Sequence, residues 1–384
     1  MRVLLATDYY PPHYGGGAES TLPVAVRYLA GRGHRIDVIT LSRNRAEARD
    51  ECDGITVHRL PGFAMENWLG LQFTLSPGLF RGVDRLVSET APDVVWAHNH
   101  FFTTSLAAHW AARKRRIPVV TDLSVAEIDH LPLRYRLPAA AWERSLGRWM
   151  LGRSAALSGV SEAAARHGSA LLGSRAKGVA ISVVPNGVDT MAFRPAEREP
   201  SEVTIGFVGR LISNKGPHRV VEAIPLVLQA RSDIRFVFIG DGPMRRTLER
   251  RVEALKVGAA VEFRGELPHE AIAEALRGLT MVVRPSDTEG LPVIALEAMA
   301  SGLPLIATDV GGTREVLENG VTGILLAPKP SPAAIAESIL SLAQDGELRA
   351  KMRAASRRAG EGLDWAHCLA LREELLARYA RNSS

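Results

Sequence analysis

The segment Pro285-Ser286-Asp287-Thr288-Glu289-Gly290-Leu291-Pro292-Val293-Ile294-Ala295-Leu296-Glu297-Ala298-Met299-Ala300-Ser301-Gly302 decides how this chain is read. Met281-Val282-Val283-Arg284 just before it has the pattern of a buried strand end, and Pro285 stops it. Pro292 suits the first helical position, where a missing N–H costs nothing, and Gly302 marks the helix end. A strand handing over to a helix through a short loop is the unit of a parallel α/β sheet. The loop and helix carry two glutamates, Glu289 and Glu297, eight positions apart around a helix start. The first amides of that helix, near Gly290, Leu291 and Val293, lack intrahelical acceptors and favour a phosphate. Glu297 falls roughly 8 Å along the axis from Pro292 at the usual rise, so one acid flanks the anion site and the other reaches a diol beyond it.

Outward from this segment, short apolar runs alternate with longer helical patterns. Strands are expected at 2–7, 35–40, 56–60, 94–98, 119–122, 156–160 and 181–185, and again at 203–209, 235–240, 260–264, 281–284, 304–308 and 323–326. The fold class is therefore α/β, with two doubly wound Rossmann-like domains in series. The expected domains are 1–189 and 203–364, joined by a polar, proline-bracketed linker at 190–202 that includes Arg194-Pro195-Ala196-Glu197-Arg198-Glu199-Pro200. A last helix, about 365–379, shows Leu369, Leu371, Leu375 and Leu376, and the 365–384 tail is expected to pack back on the first domain. At 384 residues, two ordinary cores fit better than one.

The composition, 46% hydrophobic and 23% charged, is that of a globular protein. No run approaches the roughly 20 apolar residues of a membrane span, and Val3-Leu4-Leu5-Ala6-Thr7 opens a strand instead of a signal peptide, so a cytoplasmic protein is expected. Cys52 and Cys368 lie far apart and suggest neither a disulfide nor a zinc site. The net charge of +5 is concentrated in Arg113-Lys114-Arg115-Arg116 and through Arg134, Arg136, Arg144, Arg148 and Arg153, beside Tyr135, Trp142 and Trp149. Two readings stay open: solvated faces, or docking on an anionic membrane or acidic acceptor.

Ligands in open α/β sheets gather at the C-terminal strand ends, and the chemistry-bearing loops here follow strands. Tyr9-Tyr10-Pro11-Pro12-His13-Tyr14-Gly15-Gly16-Gly17-Ala18-Glu19 is either a structural turn or a loop that lets backbone amides approach an anion. Phe207-Val208-Gly209-Arg210 with Lys215-Gly216 offers a guanidinium and an ammonium to a pyrophosphate. Gly240 and the Gly265-Glu266-Leu267 turn are either walls for a base and ribose or ordinary turns at strand ends. The set matches neither the phosphate loop Gly-x-x-x-x-Gly-Lys-Ser/Thr nor a clear dinucleotide fingerprint, which weakens kinase and dehydrogenase readings.

With these residues in view, the chain resembles glycosyltransferase family 4, the retaining, nucleotide-sugar-dependent enzymes of GT-B architecture, in which two Rossmann-like domains face each other across a cleft. The resemblance runs almost full length, through Gly16-Gly17-Ala18-Glu19, Asn186-Gly187-Val188-Asp189, Val208-Gly209-Arg210, Lys215-Gly216, the Glu289 to Glu297 motif, Gly302-Leu303-Pro304, Thr308-Asp309-Val310-Gly311-Gly312, Glu315 and Asn319-Gly320-Val321-Thr322-Gly323. It implies that Arg210 and Lys215 bind the donor diphosphate and stabilise the leaving group, a task that otherwise falls to a metal. Glu297 would hold the ribose hydroxyls and Glu289 the donor sugar. The amides of Gly290, Leu291, Val293, Gly16 and Gly17 would face the phosphates and sugar, with domain closure completing the site. No Asp-x-Asp motif is present, so no metal or other cofactor is expected beyond the nucleoside-diphosphate sugar itself.

The chain departs from the family after Pro118-Val119-Val120-Thr121, where a histidine is usual and Asp122, Leu123 and Ser124 stand instead; the slot falls on Leu123. Asp122 is either an acceptor-side catalytic group in its place or a helix cap. His98, in Trp96-Ala97-His98-Asn99-His100, is an acceptor-side candidate or a structural histidine. Arg284 stands where an aliphatic residue is usual, and is open to a donor phosphate, an acidic sugar or a neighbouring acid.

The expected function is retaining transfer of a hexosyl group from a nucleoside-diphosphate sugar, of uridine or guanosine, to an acceptor hydroxyl. The alternatives are a nucleotide-sugar epimerase or hydrolase, and a degenerate sugar-nucleotide-binding protein; no nucleic-acid-binding module is present. The acceptor, a small molecule or a lipid-linked sugar met peripherally at a membrane, would touch the apolar stretch 63–80 and the segment around Trp142 and Trp149.

Overall fold

The computed structural model describes residues 1–12, 21–42, 47–64, 74–124, 133–198 and 200–381. The chain divides into two compact units, one of Met1–Asn186 with Cys368–Ser384 and one of Gly187–His367. Strands of the first unit are β1 (Arg2–Ala6), β2 (Arg35–Ser42), β3 (Ala48–Cys52), β4 (Ile55–Pro61), the short pair β5 (Phe63–Ala64) and β6 (Thr74–Leu75), β7 (Val94–His98), β8 (Val119–Leu123), β9 (Ala156–Gly159) and β10 (Ala180–Val183). Eight of them form one sheet in the order β10-β9-β8-β7-β1-β2-β4-β3. All neighbours in it are parallel except β3, which pairs antiparallel with β4.

The buried strands are apolar runs because both faces are covered by helices. Leu4, Ala6, Ile39, Val95 and Ala97 pack with Val83, Leu86 and Val87 and with Ala107, Ala108, Ala111 and Ala112. The described helices of this unit are α1 (Leu22–Gly31), α2 (Leu79–Thr90), α3 (Thr103–Lys114), α4 (Leu133–Trp142), which continues through a π-turn (Glu143–Gly147) into α5 (Arg148–Leu151), and α6 (Glu162–Leu172). Strand β3 escaped the sequence reading because all five of its residues are exposed and Ala-Arg-Asp-Glu-Cys has no apolar alternation.

The second unit has six parallel strands, β11 (Thr204–Val208), β12 (Arg235–Ile239), β13 (Val261–Gly265), β14 (Met281–Arg284), β15 (Leu305–Thr308) and β16 (Gly323–Leu326), ordered β13-β12-β11-β14-β15-β16. The strand order reverses between β11 and β14, which is where such sheets open a crevice at their carboxyl ends. Its helices are α7 (Pro217–Ala230), α8 (Arg245–Ala254), α9 (His269–Arg277), α10 (Val293–Ala300), α11 (Thr313–Val316), α12 (Pro332–Gln344) and α13 (Gly346–Glu361). Phe207, Phe236 and Phe238 of the sheet pack with Val220, Ile224 and Val227 of α7 and Ile335 and Ile339 of α12.

Two local expectations are refined. Pro292 sits at the N-cap of α10, with φ −71 and ψ 111, one position before the first helical residue. At the other end Gly302, at φ 66, lets its amide reach Met299 O and that of Leu303 reach Ala298 O, both 2.8 Å, a Schellman ending. The polar segment 190–198 lies against the second unit, since one guanidinium nitrogen of Arg357 donates to the carbonyls of Thr190 (3.1 Å), Phe193 (2.9 Å) and Ala300 (2.6 Å). The last helix, α14 (Trp365–Tyr379), buries Cys368, Leu369, Leu375 and Leu376, together with Arg372, which no apolar pattern announces. None of the described helices is long and apolar enough to cross a membrane.

Candidate active site

At the strand-order reversal of the second unit, the loops after β11 and β14 are stitched together by backbone. The amide of Asp287 donates to Asn214 O at 2.7 Å, and Arg219 donates to Pro285 O at 2.8 Å and to the Asp287 carboxylate at 2.7 Å. Gly216, at φ +73, is required here: a Cβ on it would stand 2.1 Å from Pro285 O. This places Lys215 Nζ, at the end of the turn Ser213–Lys215, 2.8 Å from Glu289 Oε2. The other carboxylate oxygen, Oε1, accepts from Arg284 Nε at 3.0 Å and Ser286 Oγ at 2.7 Å. Of the partners open to Arg284 from sequence, the structure therefore gives it the neighbouring acid.

Glu289 and Arg284 are buried, at 7% and 8% exposure. Burial alone would push the Glu289 carboxyl up, but Arg284 and Lys215 outweigh it and hold it at about 2, ionised at any working pH. Burial, opposed by Glu289 and reinforced by Arg284 and Arg210, draws Lys215 below the usual lysine range. Arg210 is exposed on the same strand-end loop. Lys215 and Arg284 thus share the Glu289 carboxylate, and Arg210 acts on Lys215 from the same loop, a local excess of positive charge suited to a polyanion.

Gly240 and Gly265 end the neighbouring strands. A Cβ on Gly240 would lie 2.2 Å from Gly209 O, so this glycine serves close backbone approach, and its amide donates to Gly265 O at 2.7 Å. Leu267 follows, half-buried, just before α9. Gly290 and buried Leu291 lead into α10, whose first residue is Val293. Glu297, buried on α10, is held by His269 Nε2 at 2.8 Å. That hydrogen bond raises the His269 pKa against partial burial. His269 and Ser286 were not singled out in the sequence: the His269 contact joins two separate elements, and the Ser286 contact depends on how the loop between β14 and α10 turns.

In the first unit, Gly16 and Gly17 lie outside the described residues. Asp122, read as an acceptor-side catalytic candidate or a helix cap, is corrected on both counts. Its Oδ2 accepts from Trp96 Nε1 at 2.7 Å and its Oδ1 from Arg372 of α14, which also donates to Ser158 Oγ at 3.1 Å. The carboxylate is 3% exposed, so it is the anion of an internal ion pair. Burial pushes it up, and Arg372 with His98 prevails to leave it below the usual range. Leu123, in the slot where the family carries histidine, is fully buried and packs on Gly168 of α6, where an added Cβ would meet its Cδ1 at 2.2 Å. His98 is buried at the end of β7, with Nδ1 3.5 Å from Asp122 Oδ2, and its Nε2 has no hydrogen-bond partner among the described residues.

Beside it, His100 and His167 both place Nε2 on Glu143 Oε1, at 3.1 and 2.8 Å, and the three side chains lie close enough together to hold a cation. The hydrogen bonds require the Nε2–H tautomers. A metal ligated by Nε2 would shift the His100 proton to Nδ1, which is buried without an acceptor among the described residues. The trio therefore reads as polar packing around the π-turn. The basic groups of this unit are partly paired: Arg115 reaches Asp84 at 2.7 Å and Lys114 lies 3.3 Å over the Trp110 ring. On α4, Leu133 and Leu137 stand 59% and 63% exposed beside Arg134 and Arg136.

Comparison with known proteins bears on the whole chain. Residues 189–359 match the family described as Glycosyl transferases group 1, and residues 15–191 match Glycosyltransferase Family 4. The chain is 31% identical over 341 residues to the GDP-mannose-dependent alpha-mannosyltransferase of Mycolicibacterium smegmatis, covering 85% of this chain and 84% of that one. It is 28% identical to the glycogen synthase of Mycobacterium tuberculosis, covering 95% and 92%. Among solved structures, Anabaena HepE in complex with UDP-glucose superposes with a TM-score of 0.77 at 20% identity, covering 98% of this chain and all of that one. The two parallel-sheet units, the residues at the β11/β14 reversal and these matches lead to one assignment: the chain belongs to the group 1 glycosyltransferases of family 4, with the GT-B fold.

Proposed function

We propose that the protein transfers a hexosyl group from a nucleoside-diphosphate sugar to an acceptor hydroxyl with retention of anomeric configuration and without a divalent metal. The observation that carries this reading is the cluster at the β11/β14 reversal, where Lys215 and Arg284 pair with the carboxylate of Glu289 and Arg210 adds positive charge beside Lys215. In the transfer, Lys215 and Arg210 take up the charge that develops on the departing diphosphate, the part a metal plays elsewhere. Glu289, ionised throughout, orients the sugar, and Glu297, held by His269, takes the ribose diol. The departing phosphate oxygen accepts the proton of the attacking hydroxyl, so no separate protein base is needed. The UDP-glucose bound by the structural neighbour and the GDP-mannose named for the relative support this donor class.

On the acceptor side we retain His98, whose buried Nε2, at a strand end, has no hydrogen-bond partner among the described residues. The exposed Leu133 and Leu137 beside Arg134 and Arg136 support a cytoplasmic protein that meets a lipid-linked or small-molecule acceptor at an anionic membrane face. The test is a panel of UDP-, GDP- and ADP-hexoses incubated with the protein and a chelator, with the released or transferred sugar followed by NMR. One donor consumed with an α product from an α donor supports the reading. Consumption that yields the inverted sugar, or an isomerised nucleotide sugar, overturns it.

A further inference from the structure

The mechanism asks two things of Lys215 that conflict. Among the described residues it is the only cation on Glu289 Oε2, at 2.8 Å, and it must also serve an incoming diphosphate. A buried carboxylate stripped of its cation is strongly disfavoured, so an acid held by Lys215 alone would compete with the donor for that ammonium. The geometry around Arg284 removes the conflict. Arg284 Nε and Ser286 Oγ both bind the other oxygen, Oε1, at 3.0 and 2.7 Å, so Glu289 remains paired and oriented when Lys215 leaves. Arg284 itself cannot follow the donor: it is 8% exposed, and its Nη1 donates to Val208 O at 2.6 Å, locking it between the ends of β11 and β14. The position is built in from the other side as well. Gly209 has φ +139, and a Cβ on it would lie 2.4 Å from Arg284 Nη1, so the backbone leaves the space that the guanidinium fills.

We propose that Arg284 is a positioning residue that holds Glu289 in place of Lys215 and thereby frees Lys215 for the donor diphosphate. The inference rests on the donor reading given above and adds a division of labour among its cations. Arg284 serves the carboxylate, Lys215 moves between carboxylate and diphosphate, and Arg210 meets the diphosphate from the same loop. An aliphatic residue at position 284 would leave Lys215 captured by Glu289. The cluster would then carry one positive charge fewer toward a ligand that brings at least two negative ones.

The test compares wild type, Arg284→Leu, Arg284→Lys, Glu289→Gln and the double variant Arg284→Leu/Glu289→Gln, reading UDP and GDP affinity by calorimetry and KM and kcat for the donor. Arg284→Leu is expected to weaken nucleoside-diphosphate binding at least tenfold, with KM rising in step, and Arg284→Lys to recover part of that loss. The distinguishing result lies in the double variant. Removing the charge of Glu289 releases Lys215, so diphosphate affinity returns to within about threefold of wild type while turnover stays low. A merely structural role for Arg284 predicts the opposite, a double variant no better than the single one, and that result overturns the proposal. So does an Arg284→Leu protein that binds the nucleotides as wild type does. If Arg284→Leu fails to fold, Arg284→Lys alone and combined with Glu289→Gln decides by the same criterion. Failure of wild type to bind any nucleoside diphosphate overturns the donor reading and this inference together, whereas wild-type binding with unchanged variants overturns this inference alone.

Discussion

Asp122→Ala should destabilise the first unit severely and not act through chemistry. The substitution leaves the Arg372 guanidinium, 7% exposed, with Ser158 Oγ at 3.1 Å and the face of Trp96 at 5.0 Å but without an anion. Breaking a buried ion pair by removing one partner costs about 3–5 kcal/mol. For a unit of about 150–250 residues each kcal/mol shifts the midpoint by roughly 2–4 °C, so a fall on the order of 6–20 °C is expected. A two-unit chain need not melt in one step, and differential scanning calorimetry should show the loss in one transition while the other holds. The double variant Asp122→Ala/Arg372→Met should recover most of it, because no buried charge is then orphaned. The sign of the pH dependence follows from the depressed carboxyl. The pair stabilises fully above the unfolded aspartate value of about 3.9, and its contribution is lost as pH falls through the lower folded value. The gap between wild type and variant should therefore narrow in acid. An Asp122→Ala protein that melts within about 1 °C of wild type yet loses turnover would refute this reasoning and return Asp122 to the acceptor side.

Other consequences are smaller in scope. Gly216→Ala places a Cβ 2.1 Å from Pro285 O at φ +73, so the two donor loops must part, and donor affinity should fall at least tenfold in a binding titration. Glu289, near 2 when folded against a reference of 4.5, stabilises the second unit above about pH 4.5, and that contribution is lost as the pH falls from there to about 2; Glu289→Gln should abolish this part of the acid-melting profile. The His269–Glu297 pair has the opposite sign. With the His269 pKa raised, its stabilisation is complete below the histidine reference of 6.5 and lost as pH climbs through the folded value, and His269→Ala should raise the donor KM severalfold while changing kcat little.

What could be read from the sequence follows from physics that is local. Buried parallel strands are apolar runs, so β1, β7, β11 and β14 were visible without a partner, and strand-to-loop transitions exposed Lys215, Glu289 and Glu297. The exposed β3 was not, because its pairing is carried by backbone that composition does not report. The pairing of Arg284 with Glu289 depends on how the intervening loop turns, and that of Asp122 with Arg372 spans 250 positions. Nothing in the apolar pattern of the last helix singled out Arg372, so the latter was not legible. The histidine slot at Leu123 was legible as a departure, but its consequence, a leucine packed on Gly168, needed the position of α6.

The decisive titration is calorimetric, with UDP, GDP and ADP added in the presence of a chelator to wild type, Arg210→Ala and Lys215→Ala. A donor site at the β11/β14 reversal requires at least one of these nucleotides to bind wild type without metal. Each variant should then bind it at least tenfold more weakly, with the affinity of wild type falling as salt is raised. Unchanged affinity in both variants, or no binding by wild type, would contradict a diphosphate held by these two cations.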